Sequence, residues 1–169
     1  MTRLLSLATV TLLLAGCAGE QRVVPQLPDR TLEAPDGRRH STVALAARGA
    51  VFVVAPATLS SVDDQRDWGT HLDATRSGRA ALVFVEDFGP SWFEDTVLEE
   101  MREQYDPRGG VVMLIDPEGE LRDALGVPEG DVVVLVYSAE RRLLKTIAAK
   151  PTREAAASAW AAIAGRRGR

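Results

Sequence analysis

One cysteine in 169 residues is the first thing this sequence lacks. A lone thiol cannot form an internal disulfide or a Cys-x-x-Cys redox pair, so dithiol chemistry within one chain is excluded. Basic excess is also missing: 20 Lys and Arg stand against 24 Asp and Glu, a net charge of −4. That argues against a nucleic-acid partner, which is held by displacing counterions with basic surface. Only two histidines, His40 and His71, are present. Neither has a second histidine or a cysteine at ligand spacing, so no metal site and no cofactor site is expected. Asp116-Pro117-Glu118-Gly119-Glu120 is too short and too poor in oxygens for a calcium loop. No apolar run is long enough to cross a bilayer, which takes about 20 residues.

The run that does exist, residues 4–14 after Arg3, has the length of a secretory h-region and is set aside from the fold. It ends in Leu14-Ala15-Gly16-Cys17. This string resembles the bacterial lipobox, which implies cleavage before Cys17 and acylation of its sulfur. The resemblance divides the chain into a signal peptide (1–16), a lipidated tether (17–30), a folded domain (31–165) and a basic tail (166–169). Several acyl chains make such an anchor durable where one would be marginal. Ala18, rather than Asp, after the cysteine implies sorting to the periplasmic face of the outer membrane. The partners expected are therefore the membrane, through Cys17, and an envelope protein. Residues 18–30 are rich in Gly, Gln, Pro and charge, and read as a tether reaching about 40 Å.

Within the domain, Asp36-Gly37 marks a hairpin turn between residues 31–34 and 41–43. Apolar runs at 50–54, 80–85, 111–115 and 132–137 have the continuity of strands buried on both faces. Between them, Val62, Trp68 and Leu72 form a loose helical stripe. Phe93, Val97, Met101 and Tyr105, with Leu98, form a regular one that opens on a Ser91-Trp92-Phe93-Glu94 capping box. Glu94, Asp95, Glu99, Glu100 and Glu103 make its wet side. Leu121, Ala124 and Leu125 give a short helix ended by Gly126. A hairpin from 132 to 148 follows, then a helix capped by Thr152 with Ala156, Ala159, Trp160 and Ile163 inward. Strands alternating with helices predict an α/β three-layer sandwich with a mostly parallel sheet and an antiparallel C-terminal hairpin.

Three stretches carry a family resemblance: Ala34-Pro35-Asp36-Gly37 leading to Ala50-Val51-Phe52-Val53-Val54-Ala55-Pro56; Leu82-Val83-Phe84-Val85-Glu86-Asp87; and Asp116-Pro117-Glu118-Gly119-Glu120-Leu121 through Pro128. They resemble the thioredoxin fold in its TlpA and peroxiredoxin-like form, and the layout is similar to cysteine-free periplasmic proteins of the YtfJ type. The resemblance implies a reactive position after the first central strand, where a helix N-terminus lowers a thiol pKa. Here Leu59 and Val62, or Ser60 and Asp63, occupy the two cysteine positions. The family's cis-proline position falls near Asp131, with Pro128 three residues early.

Ser60, Ser61, Asp63 and Asp64 are explained by helix capping, a serine at the cap and aspartates in the first turn. Alternatively, Thr58, Ser60, Ser61, Asp63 and Asp64, with Asp131, form a recognition site on the old active-site rim. Phe88 and Trp92 follow the second central strand at its carboxyl end, where ligands bind in open parallel sheets. Trp92 is either an interface anchor there or a staple folded back on its helix. The reading is a lipid-anchored binding module without redox activity. Its rivals are a non-thiol enzyme, such as a hydrolase, using Ser60 or Ser61 with a base such as His40 or His71, and a structural envelope spacer. Arg166, Arg167 and Arg169 form a frayed tail able to touch anionic lipid.

Overall fold

Four apolar runs, each too short for a buried helix and too continuous for a surface strand, become adjacent strands in the middle of one sheet. The computed structural model describes residues 24–88, 98–99, 101–103, 105–106 and 109–165. In chain order it contains β1 (Thr31–Glu33), β2 (Arg39–Ser41), α1 (Thr42–Leu45), a 3-10 turn (Ala46–Arg48), β3 (Ala50–Pro56), α2 (Leu59–Ala74), β4 (Ala81–Asp87), β5 (Val111–Asp116), α3 (Glu120–Leu125), β6 (Val133–Tyr137), β7 (Leu143–Ile147) and α4 (Arg153–Ala164). Residues 98, 99 and 101–103 are also helical. The sheet order is β2-β1-β5-β4-β3-β6-β7.

Strands β3, β4 and β5 run parallel, with Val53 beside Phe84 and Phe84 beside Met113. The remaining four pairings, β1 with β2 and β5, and β6 with β3 and β7, are antiparallel. The parallel helix-linked centre and the antiparallel C-terminal hairpin are as expected, and the N-terminal hairpin adds a second antiparallel flank through β1 against β5. Hairpins supply the outer strands β1 with β2 and β6 with β7, and a short turn can only join antiparallel neighbours.

Each face of the sheet buries its own cluster. Phe52, Val54, Val83, Val85, Leu114 and Leu135 pack under Leu121 and Leu125 of α3. Val51, Val53, Leu82, Phe84, Val134 and Val136 pack under Trp68 and Leu72 of α2 and Trp160 and Ile163 of α4. Phe52 meets Tyr137 edge to face, ring centroids 6.0 Å apart. This two-sided burial is why the strands read as unbroken apolar runs.

Three expectations change. The segment from Val24 to Arg30 is not a tether. Leu27 is 1% exposed within the core. Its amide donates to the Arg141 carbonyl at 2.9 Å, and the Leu143 amide donates to Pro25 at 2.8 Å, pairing residues 25–27 with the start of β7. A single leucine between prolines carries no periodicity, so sequence patterning missed it. Thr42, expected in a strand, is instead the buried first residue of α1; Ser41 caps that helix by accepting from the Ala44 amide. Val62, expected in a buried stripe, is 40% exposed, while Trp68 and Leu72 are fully buried. The capping box at Ser91 and the stripe residues Phe93 and Val97 lie outside the described residues, as do Cys17, Trp92 and the basic tail.

Candidate functional site

The carboxyl ends of β3, β4 and β5 place Pro56, Asp87 and Asp116 along one rim. After Pro56 the chain enters α2, with Thr58 in extended geometry as its N-cap. Ser61 organises this turn as the third helical residue of a capping box whose N-cap is Thr58. Its hydroxyl lies within hydrogen-bond distance of the Pro56 carbonyl and, at 2.8 Å, of the Thr58 carbonyl. It accepts from Gln65 Nε2 at 3.0 Å, and the Thr58 amide points back to it at 3.4 Å. Ser60 is joined to Thr58 through their hydroxyls at 3.0 Å. The expected placement of aspartates in the first turn is corrected as well: α2 starts at Leu59 and its first turn holds no acid.

A cavity of about 310 Å³ opens here. Ser60, Ser61 and Asp64 line it from α2, Gly130, Asp131 and Val132 from the approach to β6, and Ala148, Ala149 and Lys150 from the chain after β7. The structure thus brings together four of the residues singled out from sequence: Ser60, Ser61, Asp64 and Asp131. Lys150, whose Nζ sits 3.0 Å from Asp64 Oδ2, was missed. Its 86-residue separation from Asp64 leaves no local pattern to find.

Other candidates do not join. Asp63 is exposed and pairs with Arg66 at 3.1 Å along the helix. Thr58 is exposed and serves the helix start rather than the cavity wall. Phe88 is 5% exposed, so it is core and not a surface anchor. No cis peptide bond occurs among the described residues, and the segment before β6 carries Asp131 behind Gly130, whose φ is +86°. Among those residues no histidine or carboxylate hydrogen-bonds to Ser60 or Ser61. His40 lies on β2, with Nε2 buried and unpartnered, and His71 lies about 15 Å along α2 from Ser61 at 1.5 Å per residue. The base that a serine nucleophile requires is not supplied by either.

Behind the rim lies a carboxyl the sequence did not advertise. Glu86, in β4, is 5% exposed on the α2 face. Burial pushes its pKa up to about 7, opposed by a hydrogen bond from Gln65. Gln65 also donates to the Pro56 carbonyl at 3.2 Å, so one side chain touches Glu86, Ser61 and the strand end. On the opposite face, Asp87 accepts from Arg122 Nη1, and Arg122 also grips Asp123 at 2.9 Å. Asp116 Oδ2 accepts the Leu121 and Arg122 amides, both at 2.9 Å, and so starts α3. Burial raises the Asp116 pKa against those two amides. The described residues contain no group of three or more His, Cys, Asp or Glu able to hold a metal.

A second cleft, about 550 Å³, lies beside β1 and α3. Arg30, Arg39 and Arg102 share its walls with Glu33, Glu118 and Glu120, so it presents no single sign of charge.

The topology and this rim define a thioredoxin-like fold. Solved structures of that fold match most of the chain. A secreted disulfide oxidoreductase of Mycobacterium tuberculosis is 12% identical, covering 80% of this chain and 96% of its own, at a TM-score of 0.59. An exposed lipoprotein thioredoxin of Streptococcus pneumoniae is 15% identical, covering 79% and 98%, at 0.62. A peroxidoxin of Mycobacterium tuberculosis is 19% identical, covering 85% and 96%, at 0.56. No protein-family model and no curated protein matches the sequence. No helix among the described residues is long and apolar enough to cross a membrane.

Proposed function

We propose that this chain is a lipid-anchored, envelope-facing binding module that has kept the thioredoxin-like frame and given up thiol chemistry. The observation that carries the reading is the composition of the 310 Å³ cavity at the start of α2. Hydroxyls of Ser60 and Ser61, the Asp64 and Lys150 ion pair, and Asp131 stand there with no sulfur. A dithiol couple needs two cysteines, and this sequence has one. The oxidoreductase activities named for the neighbouring structures belong to those proteins. Acylation of Cys17 would use the remaining sulfur and hold the domain at the periplasmic face of the outer membrane. Since residues from Val24 onward pack on the domain, residues 18–23 alone separate it from the anchor, a reach of roughly 20 Å at most.

The occupant of the cavity is a small polar ligand or a protein segment. Lys150 supplies an ammonium on a side chain that is 84% exposed, and Asp131 an exposed carboxylate. Photocrosslinking in native membranes from positions 60 and 131, with Lys150→Glu and Asp131→Ala variants alongside, tests this. A discrete crosslinked species that either substitution abolishes supports the cavity as the binding face. A crosslinking pattern indifferent to both overturns it. Acyl-chain mass at Cys17, and the failure of the purified mature chain to reduce a disulfide substrate, test the other two parts.

A further inference from the structure

The two ends of the sheet carry opposite charge. At the rim, the connections 57–58, 117–119, 126–132 and 148–152 expose Glu118, Glu129 and Asp131 against Lys150, while Asp87 and Asp116 are buried beside Arg122. At the other end, the described residues of connections 46–49, 75–80, 105–106, 109–110 and 138–142 include Arg48, Arg76, Arg79, Arg141 and Arg142, against Asp106 and Glu140, and Arg48, Asp106 and Glu140 already have interactions within the domain. Asp73 in the last turn of α2 is a third acid there. A chain with net charge −4 has thus collected five arginines and no lysine around one pole.

Two further strands of the fold converge on that pole. Residues 25–27 pair with 141–143, so the N-terminal segment is fastened to the arginine-bearing turn between β6 and β7. Helix α4 ends there too: a Cβ built on Gly49 would meet Ile163 at 2.9 Å.

We infer that the arginine pole around Arg48, Arg79, Arg141 and Arg142 is a docking surface for an anionic membrane, with the rim cavity turned away from the bilayer. The chemistry recognised is phosphate and phosphodiester headgroups at a surface, where basic side chains add attraction within a Debye length. Guanidinium groups suit this because each presents a fork of donors to phosphate oxygens. The acidic rim is repelled by the same surface, so attraction at one end and repulsion at the other select a single orientation. The inference rests on the envelope placement proposed above, but its test does not depend on acylation.

The chain beginning at Ala18 retains every described residue and carries no lipid. Its co-sedimentation would be measured with phosphatidylcholine vesicles and with vesicles containing 30% phosphatidylglycerol, on the order of the anionic content that makes a surface potential effective. Binding is expected to the anionic vesicles only, and to fall as salt is raised. Arg79→Glu with Arg142→Glu is expected to weaken it by tenfold or more, at about fivefold per arginine removed. Arg66→Glu with Arg153→Glu, the same change in net charge placed on the helices, is expected to weaken it far less. Equal binding to both vesicle types, no binding to either at low salt, or equal weakening by the two double variants would overturn the inference.

Discussion

The indole N–H of Trp160 donates to the carbonyl of Leu72 at 2.9 Å, tying α4 to α2 across their shared face of the sheet. Both residues are buried, so the bond is shielded from water, and the Leu72 carbonyl has that indole for a side-chain donor. Trp160→Phe keeps most of the packed surface and removes the donor. It is expected to cost about 1–3 kcal/mol in urea unfolding, and Trp160→Ala about 3–5 kcal/mol.

Glu86 makes stability depend on pH. Its pKa rises from 4.5 to about 7 on folding, so between those values the folded state holds a proton that the unfolded state has released. Stability is full below pH 4.5, falls as pH rises to 7, and levels above it, by an amount on the order of 3 kcal/mol. Glu86→Gln cannot ionise, so thermal melts across this window should lose the slope in the variant.

The Arg122 guanidinium neutralises a rim that is otherwise acidic and buried. With Asp87 4% exposed at its side chain and Asp116 2% exposed as a residue, Arg122→Met leaves two carboxylates in adjacent strands without that cation. A loss of about 3–5 kcal/mol is expected at pH 8. Protonation of Asp116, whose pKa burial raises, relieves part of it, so the deficit measured by chemical denaturation should shrink toward pH 4.

Leu27 tests where the domain begins. As a surface tether residue it would tolerate alanine without effect; buried at 1% exposure, Leu27→Ala should cost about 2–5 kcal/mol. Amide hydrogen exchange should show Leu27 and Leu143, paired through 141–143 and 25–27, opening together with the sheet.

Long periodic features were legible before any coordinates. The four buried runs became β3, β4, β5 and β6, and the Thr152-capped helix buried the four residues expected of it. Gly126 ended α3 with φ at +71°, as a left-handed cap requires. What escaped was nonlocal. Pairing of β1 with β5, Lys150 with Asp64, and Arg122 with Asp87 joins residues whose local sequence is unremarkable in pattern, and only closure of the sheet makes them neighbours. Ser60, Ser61, Asp64 and Asp131 could be singled out together because helix starts and strand ends are local signals, and they line one cavity. Phe88 was misassigned because an aromatic at a strand end looks the same whether it turns inward or outward.

The docking of residues 25–27 also has a mechanical meaning. Tension applied at Val24 passes directly to Leu27, a plug in the hydrophobic interior, and to the hydrogen bonds beside it. A pull applied there reaches the heart of the domain within a few residues, and the load needed to extract that leucine sets how much strain the fold withstands before it yields.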